Sequence, residues 1–155
     1  MPVDVTAIDH IYLAVSDLEA SERFYDRVMS VLDFRKRGGR LAGTGDLHVH
    51  YFNRVTQLSL RPARATGVAH DPYAAGLHHL CFRVTDRRAV DAAARELARL
   101  GIDAIAPAPY PEYHEDYYAT FFEDPDGVRL EIMNHVRFRR DVAASWERFD
   151  RIDVE

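Results

Sequence analysis

Two histidines stand at equivalent positions of an internal repeat. Residues 10–17, His-Ile-Tyr-Leu-Ala-Val-Ser-Asp, match residues 79–86, His-Leu-Cys-Phe-Arg-Val-Thr-Asp, in type at the His, aliphatic, Leu/Phe, Val, Ser/Thr and Asp positions. Histidine titrates near neutral pH and is the commonest metal ligand in proteins. Taken singly, His10 or His79 is equally compatible with an ordinary place in a sheet, but their equivalence across the repeat favours metal binding.

Strand alternation predicts which side chains join these histidines. Successive side chains of a strand point to opposite faces, so His10 shares a face with Tyr12, while Ile11 and Leu13 form an apolar face that should meet the helices. The same rule places further polar residues on the face away from the helices: Gln57, His79 and Glu131. If two sheets join edge to edge, this face curls into a cup where two imidazoles, an amide and a carboxylate converge.

Each copy of the repeat begins a β-α-β-β-β unit. Ser16 and Glu19 form a capping-box pattern before a helix over 18–30, and apolar residues at helical spacing predict a second helix before Gly101. Strand-like runs follow each helix, at 33–37, 47–53 and 55–61, then at 102–106, 118–123 and 128–135. We therefore expect an α+β fold in which two βαβββ units join into a curved, cup-like mixed sheet with the helices on its outer face.

The remaining segments complete a single domain of 155 residues. The units are predicted at 6–61 and 77–135, and residues 62–76, with two prolines and two glycines, are typical of a linker. The one-face spacing of Val142, Trp146 and Phe149 predicts a C-terminal helix over 139–150.

Composition excludes several classes of protein. No apolar run approaches the roughly 18 residues of a membrane span, and the first residues have no basic and apolar signal pattern. Cys81 is the one cysteine, so a disulfide framework is excluded and a cytoplasmic location is expected. A formal charge of −5 with scattered arginines argues against nucleic acid as a partner.

The repeated strand, together with residues 121–131, Phe-Phe-Glu-Asp-Pro-Asp-Gly-Val-Arg-Leu-Glu, resembles the vicinal oxygen chelate superfamily. This superfamily includes glyoxalase I, extradiol dioxygenases, fosfomycin-modifying enzymes and bleomycin-resistance proteins. The resemblance covers about residues 6–135, and the Asp-Pro-Asp-Gly turn followed by Leu-Glu is a frequent family signature. By position it implies His10, His79 and Glu131 as ligands of a divalent metal, with Gln57 at a fourth place where glyoxalase I-like members usually carry Glu.

Neutral imidazoles and a carboxylate suit Fe, Mn, Ni, Co or Zn, and leave coordination positions open for a substrate with two adjacent oxygens. Glu131 is then also a candidate catalytic group. A neutral amide is a poor ligand, so Gln57 either completes the set or hydrogen-bonds the substrate. Without Gln57 the ligands form a 2-His-1-carboxylate triad.

The aromatic and ionisable segment 110–118 is either a pocket rim or an acidic surface loop with aromatic anchors. As a rim it supplies His114 and Tyr118 as acid or base and Tyr113 as a substrate contact, and Tyr12 is expected to contact substrate beside His10. His48 and His50 share a strand face, and a surface position is favoured for both. His78 is expected to be structural or to support the site, and Cys81 to be a small buried apolar group.

Three functions fit these residues. The leading hypothesis is a metal-dependent lyase or isomerase of glyoxalase type. The second is an extradiol-type dioxygenase, which is weakened because Phe121 stands where such enzymes carry Tyr. The third is a metal-free drug-binding protein, against which the histidines and Glu131 argue. A homodimer is expected, with the site either inside one chain or shared between two.

Overall fold

The repeat of the sequence is also a repeat of structure. The computed structural model describes residues 5–40, 45–65, 67 and 69–149. The first unit consists of β1 (His10–Val15), α1 (Leu18–Val31), β2 (Arg35–Arg40), β3 (Leu47–Phe52) and β4 (Gln57–Pro62). The second consists of β5 (His79–Arg83), α2 (Arg87–Arg99), β6 (Ala108–Pro109), β7 (Tyr118–Glu123) and β8 (Arg129–Asn134).

Each unit forms a four-stranded mixed sheet, in the order β1-β4-β3-β2 or β5-β8-β7-β6. The first strand of each unit runs parallel to the last and lies at a sheet edge, and the other pairs are antiparallel. The predicted α+β fold of two βαβββ units is confirmed. Within the described residues no strand pair connects the two sheets, so the edge-to-edge join expected of a cup is not formed there.

One hydrophobic core serves both units. The helix-facing residues of the first sheet, such as Leu13, Leu58 and Leu60, are buried, as are Leu130 and Ile132 of the second. Each fully buried aliphatic side chain contributes roughly 1.5–3 kcal/mol of transfer free energy. The alternation that assigned the apolar face to the helices is therefore correct in both halves.

Polar contacts at the Asp-Pro-Asp-Gly turn join the two units. The carboxylate of the buried Asp124 accepts a hydrogen bond from the Tyr25 hydroxyl of α1 at 2.8 Å, and burial raises the pKa of both groups. Asp126 accepts bonds from the backbone N–H and the hydroxyl of Ser16 at the end of β1. Gly127 closes the turn with φ of 85°, a backbone conformation that glycine adopts at no steric cost.

The first helix begins at Leu18 as predicted, but its N-cap differs from the sequence expectation by one residue. Asp17, not Ser16, is the N-cap of α1, and its carboxylate accepts a hydrogen bond from the backbone N–H of Ala20 at 3.0 Å. Asp86 caps α2 in the same way through Ala89. The capping box predicted from Ser16 is wrong because Ser16 is bound to Asp126 instead.

The strand expected at 102–106 is reduced to one bridge between Ala104 and Phe122, with the short β6 after it. Proline has no N–H to donate to a sheet, and Pro107 and Pro109 flank this region. The described residues between β4 and β5 form no helix or strand.

The C-terminal helix α3 (Val136–Ala144) begins earlier than predicted and is followed by a single 3-10 turn at Trp146–Arg148. None of its residues is buried, and Trp146 is exposed. Among the described residues, no helix is long and apolar enough to cross a membrane.

Candidate metal centre

Glu131 and His79 form the better-defined half of the predicted site. Glu131 lies on β8 with its side chain only 2% exposed, and its Oε2 is 3.4 Å from Nε2 of His79 on the neighbouring β5. Two ligand atoms that each lie about 2.0–2.2 Å from the same ion are separated from each other by a distance similar to this one. An imidazole and a buried carboxylate at this distance fit two positions of a divalent metal. We call this pair the second-unit half-site.

Tyr117 holds the carboxylate from the other side. Its hydroxyl donates to Oε1 of Glu131 at 2.5 Å, which leaves Oε2 toward His79. Burial, and next the hydrogen bond to Glu131, raise the pKa of Tyr117, so its hydroxyl stays protonated at neutral pH. Such a donor behind a ligand fixes the ligand's orientation.

His78 contacts His79 directly. Nδ1 of His78 and Nδ1 of His79 are 2.7 Å apart, so one ring donates to the other and Nε2 of His79 remains directed at Glu131. This contact agrees with the supporting role suggested by the sequence. Cys81, on the same strand, is exposed and not buried as expected.

A cavity of about 330 Å³ opens beside this half-site. Tyr113 and Phe121 contribute aromatic walls, and Arg129 places its guanidinium 4.4 Å from the centre of the Phe121 ring. Tyr113 thus lies in the wall of the cavity, where it could contact a substrate as predicted. The sequence did not predict that Arg129 also lines this cavity. A larger cavity of about 800 Å³ lies near the 101–105 segment and is lined by none of the predicted ligands.

The first unit presents His10 on the corresponding face. His10 is the first residue of β1, its Nδ1 is 2.8 Å from Asp9 Oδ1, and the ring of Tyr12 lies edge-on at 5.7 Å. Gln57 lies opposite His10 on β4, and its amide donates to the Ser59 hydroxyl at 2.6 Å. We call His10 and Gln57 the first-unit half-site.

Two further histidines belong to this face. His48 is buried, so the surface position favoured from the sequence is wrong for it. His50 is half-buried with Nδ1 2.8 Å from the Ser59 hydroxyl, and burial, with the neighbouring His48, lowers its pKa. Both rings lie near Tyr12, so the first unit surrounds its half-site with imidazoles.

Strand register shows which residues are equivalent in the two units. His10 pairs with Gln57 and Tyr12 with Ser59, whereas His79 pairs with Arg129 and Cys81 with Glu131. Ser59 is therefore the equivalent of Glu131 in the first unit. Gln57 corresponds to Arg129, so its assignment to the fourth ligand place is off by two residues along the strand.

The predicted ligands do not converge within one chain. Among the described residues, one group of three or more His, Cys, Asp or Glu has its ligand atoms within 4.8 Å of one another, and it contains none of His10, His79 and Glu131. That group is His114, Asp116 and His135. The structure thus brings together each half-site but leaves the two halves apart.

Tyr118 and His114 do not lie beside Glu131 as the sequence suggested. Tyr118 is on the helix face, where its hydroxyl donates to Asp91 of α2 at 2.8 Å, because strand alternation turns it away from the Glu131 face. His114 is 2.5 Å from Asp116 and faces Phe138 of α3, and it does not line the cavity. These placements do not support the catalytic roles predicted for the two residues.

Sequence reasoning missed Tyr117, Arg129 and His135. Tyr117 lay in the aromatic segment already recognised, but its position relative to Glu131 depends on how β7 pairs with β8. Arg129 and His135 each stand an even number of residues from Glu131, so alternation along β8 was a signal for both.

Comparison with known proteins matches most of the chain to one family. The model of the Glyoxalase/Bleomycin resistance protein/Dioxygenase superfamily matches residues 7–132. Two uncharacterized proteins are similar: YqjT of Bacillus subtilis, 28% identical over 80% of this chain and 95% of its own, and YaeR of Escherichia coli, 30% identical over 81% and 93%.

A solved structure gives the same result. The glyoxylase/bleomycin resistance protein/dioxygenase domain from Frankia sp. EAN1pec superposes with a TM-score of 0.69 at 25% identity. The match covers 84% of this chain and 98% of that domain.

Proposed function

Because this chain belongs to the glyoxalase/bleomycin resistance protein/dioxygenase superfamily, we propose that it is a divalent-metal-dependent lyase or isomerase of glyoxalase type. Its substrate is a small molecule that presents two adjacent oxygens. The observation that supports this proposal is the 3.4 Å contact between the His79 imidazole and the buried Glu131 carboxylate beside an open cavity.

The donor set fits a divalent metal. The His79 imidazole is a borderline ligand and the Glu131 carboxylate is a hard one, and together they suit Fe, Mn, Ni, Co or Zn. The Tyr117 hydroxyl binds the carboxylate oxygen that does not face His79. When bound, the metal supplies Lewis-acid stabilisation of negative charge on the substrate oxygens.

The protein's own groups can carry the proton. Glu131 is a buried carboxylate whose position is fixed by Tyr117, so it can remove a proton from a carbon beside a carbonyl and return it to the neighbouring carbon. Together with passage of the adduct's hydroxyl proton to the former carbonyl oxygen, this transfer converts a thiol adduct of an oxoaldehyde into its hydroxy-acyl isomer without any external oxidant. Tyr113 and Phe121 contribute apolar walls against which the substrate body packs.

Arg129 favours a substrate that carries negative charge. Its guanidinium lines the cavity, is held over the Phe121 ring and has no ion-pair partner among the described residues. A carboxylate or phosphate on the substrate would supply that partner through two parallel hydrogen bonds.

A second copy of the chain completes the site in this proposal. Each half-site supplies too few ligands for a catalytic metal, which usually has three from the protein. His10 and His79 are exposed in the isolated chain, each on an edge strand of its sheet. A twofold-symmetric dimer would place His10 of each chain against His79 and Glu131 of the other and form two equal sites.

Metal content and turnover test the function together. Protein reconstituted with Ni(II), Co(II), Mn(II), Fe(II) or Zn(II) is assayed on adducts of 2-oxoaldehydes with thiols, by the absorbance of the thioester product. We expect turnover with at least one metal, and its loss in Glu131→Gln. The matched control Glu123→Gln, an exposed carboxylate on β7, should keep turnover. Metal binding without turnover would contradict the isomerase assignment, and no metal binding would favour a drug-binding protein.

A further inference from the structure

A second group of metal-binding side chains lies outside the two half-sites. His114 and Asp116 come from the segment between β6 and β7, and His135 is the N-cap of α3. Oδ1 of Asp116 is 2.5 Å from Nδ1 of His114 and 3.4 Å from Nε2 of His135. Two imidazole nitrogens and a carboxylate oxygen therefore meet at one point.

His135 is the member of this group whose polar ring atom is not satisfied by the part of the chain that the structure describes. The residue is 7% exposed, and its Nε2 is buried without a hydrogen-bond partner among the described residues. Phe138 stacks on the ring at 4.5 Å with an interplanar angle of 14°, which fixes its orientation toward Asp116. Buried polar atoms are nearly always satisfied, so an unsatisfied ring nitrogen aimed at a carboxylate indicates a missing ligand.

We propose that His114, Asp116 and His135 bind a divalent transition-metal ion, separate from the one proposed at His79 and Glu131. Two nitrogens and one oxygen suit Zn(II) or Co(II), and a water would complete a tetrahedral arrangement. The side chains of His114 and Asp116 are 25% and 22% exposed, so an ion can enter from solvent.

Charges around the group are balanced. Arg137 pairs with Glu115 at 2.8 Å, which offsets its effect on a cation nearby. His114 and Arg139 also act on His135, and the Asp116 carboxylate opposes both.

An ion here would tie segment 110–117 to the start of α3. Tyr117 follows Asp116 directly, its ring centre is 5.0 Å from that of His135, and its hydroxyl holds Glu131. The second ion would therefore have a structural role and steady the donor behind the principal carboxylate.

The test uses a chain from which the principal ligands are removed. In a His79→Ala/Glu131→Gln background, Co(II) is titrated against visible absorbance, and Zn(II) binding is followed by thermal unfolding. We expect about one equivalent of Co(II) per chain and a higher Tm with Zn(II), because a ligand of the folded state stabilises it. Adding Asp116→Asn or His135→Gln should weaken binding by roughly 100-fold or more with an unchanged far-UV circular dichroism spectrum.

The control is His70→Gln in the same background. His70 is also half-buried with Nε2 lacking a hydrogen-bond partner among the described residues, but it lies near Gly127, apart from the group. It should leave Co(II) binding unchanged.

Absence of binding in the background, or equal binding after Asp116→Asn and His135→Gln, would overturn the proposal. If the background fails to fold, Asp116→Asn in the otherwise native chain should remove one equivalent of bound Co(II), and no loss would overturn it too. Since the background lacks His79 and Glu131, this result is independent of the proposed isomerase.

Discussion

The two units share one fold but differ in the chemistry at equivalent positions. In the second unit Glu131 stands beside His79 and is held by Tyr117. In the first unit the position equivalent to Glu131 is Ser59, whose hydroxyl contacts His50 and Gln57. The two units thus share a histidine on equivalent strands, whereas the carboxylate is present in the second half-site and absent from the equivalent position of the first.

The two units also differ on the strand that pairs with the last strand of each, β3 in the first unit and β7 in the second. His50 lies opposite Ser59, and Phe121 lies opposite Glu131. One half therefore places an imidazole beside a hydroxyl, and the other places an apolar ring beside a carboxylate. A buried carboxylate is stabilised by hydrogen bonds, such as the one from Tyr117, and by a counter-charge, which a metal ion would supply.

Replacing the acid should have the largest effect. We expect Glu131→Gln to lower metal affinity by about 100-fold or more, because a neutral amide is a poor ligand where a carboxylate is required. Ser59→Ala, at the equivalent place of the first unit, should change the affinity little. Both are measured by competition with a chromophoric chelator, and similar losses in the two variants would contradict the asymmetry.

Removing the donor behind the acid should have the next largest effect. Tyr117→Phe deletes the hydroxyl that bonds to Glu131 but keeps the ring, so metal affinity should fall by roughly 10–100-fold. Tyr113→Phe, in the same cavity wall, is the matched control and should preserve the affinity. An unchanged affinity in Tyr117→Phe would show that Glu131 needs no support from it.

Removing a hydrogen bond between the two units should have a smaller effect, on the free energy of unfolding. Tyr25→Phe leaves the buried Asp124 carboxylate without its 2.8 Å donor, which should cost about 1–3 kcal/mol in the free energy of unfolding. Urea unfolding should still show one transition, because the core is common to both units. Two separate transitions in the native chain would instead mean that the halves unfold independently.

The smallest effect is on the pH dependence of stability, and it comes from a residue of the first unit. Burial lowers the pKa of His50 from its ordinary 6.5, so the unfolded chain binds its proton more tightly than the folded one. His50 therefore reduces stability as pH falls below about 6.5, and has no effect at higher pH. His50→Gln should flatten the loss of Tm between pH 7 and 5, and an unchanged slope would remove His50 as a cause.

Sequence patterns predicted the fold better than the site. The repeat and the alternation of apolar residues give the two units and their helix-facing sides, because local periodicity and burial determine both. The cap at Ser16 and the strand at 102–106 were predicted wrongly, since they depend on a contact with Asp126 and on prolines that follow the run.

For the site, alternation correctly put His10, Gln57, His79 and Glu131 on faces away from the helices. It could not show that Tyr118 turns toward Asp91, because that depends on the register of β7 against β8. Nor could it give the distance between the two faces, which is set by packing of the units against each other.

The central claim, that two chains share each metal site, is tested most directly by a mixed dimer. Chains with His10→Ala and chains with Glu131→Gln, both carrying Asp116→Asn to remove the second proposed ion, are given different tags, co-expressed and purified through both tags. One site of such a dimer loses both ligands and the other keeps every ligand. The account predicts metal content about half that of the Asp116→Asn dimer, whereas each parental variant binds little. No metal in the mixed dimer would contradict it and place each site within one chain.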